Sequence, residues 1–199
     1  SARAFLTVGD KAVYSDHAFA VYSLATQAVG ATGISVAAKD FGHDLGAMGA
    51  AAVTQRAKMI FIANPNNPTG TIFRRAEWEK FLAKVSPDML LIVDEAYFEY
   101  VEDAEYPDSL QYHAPGRAIL TLRTFSKLYG LAGLRIGYGV GPAEIISLMQ
   151  RVRQPFNVNA PAQWAALAAL ADAEYTVHRT GTLSQGPAGT GLHQSQLFA

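Results

Sequence analysis

The sequence predicts an α/β domain whose sheet is mainly parallel with one antiparallel strand. Three observations carry that prediction. Residues 58–63 (KMIFIA), 89–93 (MLLIV) and 118–122 (AILTL) are almost wholly apolar runs, the pattern of strands covered on both faces. Segments of helical period alternate with them, as crossover connections require. Only residues 128–134 separate Lys127 from Arg135. A parallel connection needs about a dozen residues or more, so the strand at 135–140 should return antiparallel.

In chain order, Gly9 and Asp10 read as a turn before a short strand at 12–14. Residues 18–29 carry Phe19, Val21, Tyr22, Leu24 and Ala25 and predict a helix stopped by Gly30. Residues 33–38 are rich in strand formers, and 44–56 predict a helix. Residues 74–85 place Trp78, Phe81, Leu82 and Val85 on one helical side. The polar stretch 102–116, with two prolines, predicts a loop holding one short helix. Helices are expected at 143–153 and at Ala160–Ala171, the second rich in alanine and suited to close packing on a neighbour. Residues 180–199 contain no Asp, Glu, Lys or Arg and show neither period, so a disordered or foreign tail is expected from 175 to 199.

Composition narrows the function classes. Half of the 199 residues are hydrophobic and 17% are charged, which suits a packed core. A net charge of −1 offers no electrostatic case for nucleic acid or an anionic membrane. The absence of cysteine excludes disulfides, thiolate zinc sites and thiol catalysis. No apolar stretch approaches the ~20 residues of a membrane span. The chain opens on Ser1 rather than Met, close to a turn, and an internal start is expected.

Polar residues collect where the three best strands end. Asn67 follows the first, Asp94 and Tyr97 the second, and Arg123, Thr124, Ser126 and Lys127 the third. Asn67, Asp94 and Lys127 are spaced by 27 and 33 residues, close to the ~30-residue pitch of a βαβ unit. Parallel strands would bring all three to the carboxyl edge, where open α/β sheets bind ligands. Alone, Lys127 reads as a surface lysine, Asp94 as a helix cap and Asn67 as a turn residue; their common placement is what those readings leave unexplained.

This set suits pyridoxal phosphate. Lys127 can condense with the aldehyde. Asp94 can keep the pyridine nitrogen protonated, which makes the ring an electron sink. Asn67 and Tyr97 can hydrogen-bond the phenolic oxygen. Arg135, with Thr124 and Ser126, can bind the phosphate. Phe19 can stack on the ring, with Tyr22 as the alternative. A metal site of Asp94, Glu95 and Glu99 is disfavoured because no histidine is spaced for ligation. Gly137, Gly139 and Gly141 depart from the dinucleotide fingerprint by one residue and lack its acidic partner. Trp78 and Trp164 are expected to pack, and His113 and His178 to lie on the surface.

Residues 64–71 (NPNNPTGT), 93–100 (VDEAYFEY) and 123–138 (RTFSKLYGLAGLRIGY) resemble the class I/II, fold-type I aminotransferases. With 153–159 (RQPFNVN), the resemblance is strongest to the histidinol-phosphate aminotransferases. It implies a three-layer PLP-transferase large domain, partial, over residues 1–174. It implies Lys127 as the catalytic lysine, and Asn67, Asp94, Tyr97, Thr124, Ser126, Arg135 and Phe19 as cofactor contacts, with His17 where a proline is usual. The implied reaction moves an amino group between glutamate and imidazole-acetol phosphate, in histidine biosynthesis, in a cytoplasmic homodimer with small-molecule partners. Other activities on this scaffold are an aromatic amino-acid aminotransferase and a PLP-dependent decarboxylase of a phosphorylated amino acid. Outside catalysis stands a non-catalytic PLP-binding fragment. The family's phosphate-cradling turn would fall before Ser1 and its carboxylate-clamping small domain after Glu174, so little turnover is expected of this chain. A truncation with a shifted reading frame would account for the tail.

Overall fold

The computed structural model describes residues 1–172 together with Glu174 and Tyr175. Twelve elements run α1 (Ala2–Phe5), β1 (Lys11–Ser15), α2 (Val21–Gln27), β2 (Thr32–Val36), α3 (Leu45–Thr54), β3 (Met59–Ala63), α4 (Arg75–Leu82), β4 (Leu90–Asp94), β5 (Ile119–Thr124), β6 (Gly137–Val140), α5 (Ala143–Val152) and α6 (Ala160–Ala171). Short 3-10 turns occupy Phe98–Tyr100, Ser109–Tyr112 and Ala132–Leu134. Residues 176–199 of the expected tail, His178 among them, lie outside the described residues.

The strands form one sheet in the order β2-β1-β3-β4-β5-β6. All neighbours pair parallel except β5 and β6, which are antiparallel as the short return requires. Gly137 makes that return possible at close range, since a Cβ there would stand 2.8 Å from the Arg123 carbonyl oxygen.

Strand alternation divides the core into two layers around the sheet. Val13, Ile60, Ile62, Leu91, Val93 and Ile119 face α3 and α4, where Met48, Trp78 and Phe81 complete the packing. Ala12, Met59, Phe61, Leu90, Ile92 and Leu120 face the other side, against Leu6, Tyr22 and Ile145 of the α1, α2 and α5 region. Five consecutive buried residues in β3 explain its unbroken apolar sequence.

Local chemistry sets the helix starts. Asp44 accepts from the Ala47 N–H at 2.8 Å and Asn159 from the Ala162 N–H at 2.8 Å, each capping its helix. Glu77 reaches back to the Arg74 N–H at 3.0 Å. Helix α2 begins at Val21, later than its apolar spacing suggests, because the residues before it form a turn. The last strand begins at Gly137 rather than at 135, because Arg135 sits in the left-handed region with φ 55. Two expectations fail. Trp164 is 74% exposed rather than packed, because α6 buries only its small Ala162 and Ala166. His113 is half-buried rather than superficial, and its Nε2 lies 3.0 Å from the Thr121 hydroxyl.

Candidate active site

The parallel register sets Ala63 beside Asp94 and Asp94 beside Leu122, so the ends of β3, β4 and β5 form one edge. The connections leaving that edge carry Asn67, Tyr97 and Lys127. Alternation puts the Asp94 side chain on the same face as Leu90 and Ile92, toward α2. A cleft of about 920 Å³ opens there, walled by Phe19, Tyr22, Asp94, Thr124, Ser126 and Arg135, among others.

Asp94 is the most constrained of these groups. One carboxylate oxygen accepts the Tyr22 hydroxyl at 2.8 Å, and the other accepts the Ala96 N–H at 3.2 Å. Burial pushes the Asp94 carboxyl above its ordinary value, while the Tyr22 and Ala96 hydrogen bonds and the Lys127 charge pull it back. Burial first, and the charge of Asp94 second, push the Tyr22 phenol well above its ordinary value.

Asn67, Tyr97 and Lys127 form a second group. The Asn67 amide donates to the Tyr97 hydroxyl at 3.2 Å, which joins the turn after β3 to the turn after β4. Lys127 Nζ lies 4.8 Å from the centre of the Tyr97 ring. Its charge on Asp94 links this group to the cleft wall.

At the phosphate candidates, the Thr124 hydroxyl accepts from the Ser126 N–H at 3.0 Å and donates to the Ile136 carbonyl at 3.4 Å. Arg135 reaches the Ser126 hydroxyl at 3.5 Å and donates to the Ala132 carbonyl at 2.6 Å. Phe19, 42% exposed, meets the Tyr22 ring edge-on at 6.0 Å and 89°. Tyr22 is instead committed to the protein. Its ring stacks on Phe61 at 5.1 Å and 7°, leaving its hydroxyl for Asp94.

Asn66 supports the Phe19 segment. Its amide donates to the His17 carbonyl at 2.7 Å and to the Thr69 hydroxyl at 2.8 Å. Glu95 is fully buried and paired with Arg123 at 2.7 Å, which commits it to the fold. Among the described residues, no three His, Asp or Glu side chains gather as a metal site. Sequence reasoning missed the Tyr22–Asp94 bond and the Glu95–Arg123 pair. The available signal was strand parity, which sends Asp94 and Glu95 to opposite faces.

The residues fit pyridoxal phosphate in kind. A half-buried carboxylate, a lysine, a paired amide and phenol, and a guanidinium beside two hydroxyls offer a partner to each polar group of that molecule.

Comparisons with known proteins agree in direction. Residues 1–185 match the family model described as aminotransferase class I and II. Histidinol-phosphate aminotransferase 2 of Hydrogenovibrio crunogenus is 52% identical over 185 residues, 93% of this chain and 49% of the relative. Histidinol-phosphate aminotransferase of Methylobacillus flagellatus is 55% identical over 185 residues, 93% of this chain and 50% of the relative. The chain therefore spans about half the length of the curated relatives it matches. The structure of histidinol-phosphate aminotransferase from Sinorhizobium meliloti in complex with pyridoxal-5'-phosphate superimposes with TM-score 0.86 and 28% identity, covering 92% of this chain and 50% of that one. Aspartate aminotransferase from Thermus thermophilus with maleate gives TM-score 0.77 and 26% identity, covering 91% and 48%.

Proposed function

The chain belongs to the aminotransferase class I and II family, and from that premise we propose that residues 1–174 are the large-domain portion of a PLP-dependent histidinol-phosphate aminotransferase. Glutamate and imidazole-acetol phosphate are its proposed amino donor and acceptor, exchanged in a ping-pong sequence. A homodimer in the cytoplasm belongs to the same proposal. The observation that carries it is the gathering of Lys127, the Asn67–Tyr97 pair and a Tyr22-anchored Asp94 at one sheet edge. Relatives at 52% and 55% identity support the substrate.

Bound pyridoxal phosphate supplies an aldehyde for an amine and a ring that accepts electrons. The chain supplies the rest. Lys127 Nζ is the amine, and it takes up and returns the substrate's α-proton. Asp94 would face the ring nitrogen and favour its protonated form. Asn67 Nδ2 and the Tyr97 hydroxyl would donate to the phenolic oxygen. Thr124, Ser126 and Arg135 would hold the phosphate, where a guanidinium outperforms an ammonium. Phe19 would stack on the ring face.

Borohydride reduction of the chain mixed with pyridoxal phosphate, followed by peptide mapping, tests the cofactor. A stoichiometric label on Lys127 is expected, and an unlabelled Lys127 overturns the assignment. In a separate sample that is not reduced, discharge of the Lys127 link by amino compounds, followed by its absorbance band, then tests the substrate. L-histidinol phosphate should act faster than L-phenylalanine, and the reverse order would move the assignment to aromatic amino acids.

A further inference from the structure

Tyr22 stands on α2, 72 residues from Asp94 in sequence, yet its hydroxyl donates to Asp94 at 2.8 Å. Its ring cannot swing away. It is 5% exposed and lies flat on Phe61. Its other neighbour is Phe19, whose ring meets it edge-on. On this face of β4 the preceding inward positions are Leu90 and Ile92, both apolar. A fold that needed only burial would continue that row, since an uncompensated carboxylate here costs free energy.

We propose that Tyr22 is a positioning residue for the cofactor: its hydroxyl holds and aims the Asp94 carboxylate, while its ring sets the plane of Phe19. One side chain thereby fixes both the partner of the ring nitrogen and the aromatic over the ring face. The inference rests on the cofactor reading above. A tyrosine suits the task because its ring is rigid and its polar tip reaches past the apolar layer. Burial keeps the Tyr22 phenol protonated, so it serves Asp94 as a donor. The other charged group facing Asp94 is Lys127, from the β5–β6 connection, while Tyr97 bears electrostatically on Tyr22.

The test is a double-mutant cycle on the full chain, with pyridoxal phosphate affinity read by absorbance titration and Lys127 labelling as the control. Tyr22→Phe keeps the stack on Phe61 and removes only the hydroxyl. It should weaken binding by about tenfold, the size of one hydrogen bond to a charged group. It should also move the acid limb of binding to higher pH, because Asp94 loses a donor that favours its ionised form. In an Asp94→Asn background the same change should alter affinity by less than about twofold. Equal affinity of wild type and Tyr22→Phe, or an equal loss in both backgrounds, overturns the role assigned to Tyr22 while labelled Lys127 leaves the cofactor reading intact. An unlabelled wild-type Lys127 overturns both. Circular dichroism checks folding; should Tyr22→Phe unfold, 3-fluorotyrosine placed at position 22, a stronger donor of nearly the same shape, must move the acid limb of binding to lower pH, and an unmoved limb in a folded chain counts against the role.

Discussion

Asp94 and Glu95 are adjacent carboxylates at the end of one strand, the first half-buried and the second fully buried, and they meet opposite circumstances. Glu95 is satisfied on every side. One oxygen accepts from Arg123 Nε at 2.9 Å and Nη2 at 2.7 Å, and the other accepts from the Ser109 N–H at 2.9 Å. Arg123 also reaches Asp108 at 2.7 Å and lies 3.6 Å over the Phe98 ring. Asp94, turned to the other face, receives one phenol and a long backbone bond, and it borders a cleft. Burial raises both carboxyls, but the main offset for Glu95 is a fixed network within the fold. The difference separates structure from site. A carboxylate whose partners are complete holds two elements together, and one left underpartnered at a cleft is available to a ligand.

The largest effect that could break this comparison is Glu95→Ala. It leaves Arg123, whose side chain is 9% exposed, with Asp108 as its remaining ion-pair partner among the described residues, and breaking such a buried pair costs about 3–5 kcal/mol. Urea unfolding of the chain without added cofactor measures it. A loss below about 1 kcal/mol would deny Glu95 the structural role.

Asp94→Asn should do the reverse. Pyridoxal phosphate affinity is expected to fall by up to about a hundredfold, the strong end for a hydrogen bond to a charged group. Stability of the cofactor-free chain should not fall. The sign follows from linkage. Burial sets the folded value of Asp94 above the unfolded one, so its favourable contribution is complete at pH below the ordinary carboxylate range and is lost as pH rises through the folded value. Asparagine carries no charge to be desolvated, so it removes that pH-dependent loss. A destabilised Asp94→Asn chain, in urea at neutral pH, would make the two carboxylates alike.

The comparison also marks what was legible in the sequence. Buried parallel strands wrote themselves as apolar runs, and the polar residues just past them were found because each lies within a few positions of its strand end. The antiparallel return followed from seven residues of chain. Tyr22 and Glu95 were harder for one reason: their roles depend on partners far away in sequence. Tyr22, three residues after Phe19, reads as the fallback stacking ring, and nothing local says that its hydroxyl reaches β4. Glu95 carries no local sign of its partner, and only the fold brings Arg123 to it across 28 residues. The left-handed Arg135 and the exposed Trp164 likewise reflect geometry that local preference does not encode.

The smallest predicted effect sharpens the comparison with a third titratable group at the same edge, a half-buried histidine. His43 Nε2 accepts the Ala63 N–H at 3.1 Å, so the ring proton sits on Nδ1, which is buried without a partner. Burial lowers His43 from 6.5 to about 4, only slightly offset by that backbone bond. The folded value lies below the unfolded one, so the unfolded chain binds more protons across that window. The stability from neutral His43 is therefore complete above about pH 6.5 and is lost as pH falls toward 4, opposite in sign to Asp94. Between about pH 7 and pH 5 the loss should be about 2 kcal/mol. His43→Gln keeps an acceptor for the Ala63 N–H but does not titrate there, so the difference between wild type and variant cancels the contribution of Asp94. Urea midpoints that diverge as pH falls, with the wild type losing more, are the expected outcome. Parallel curves would mean that His43 is already open to protons in the folded chain, and that burial at this edge constrains Asp94 less than its geometry implies.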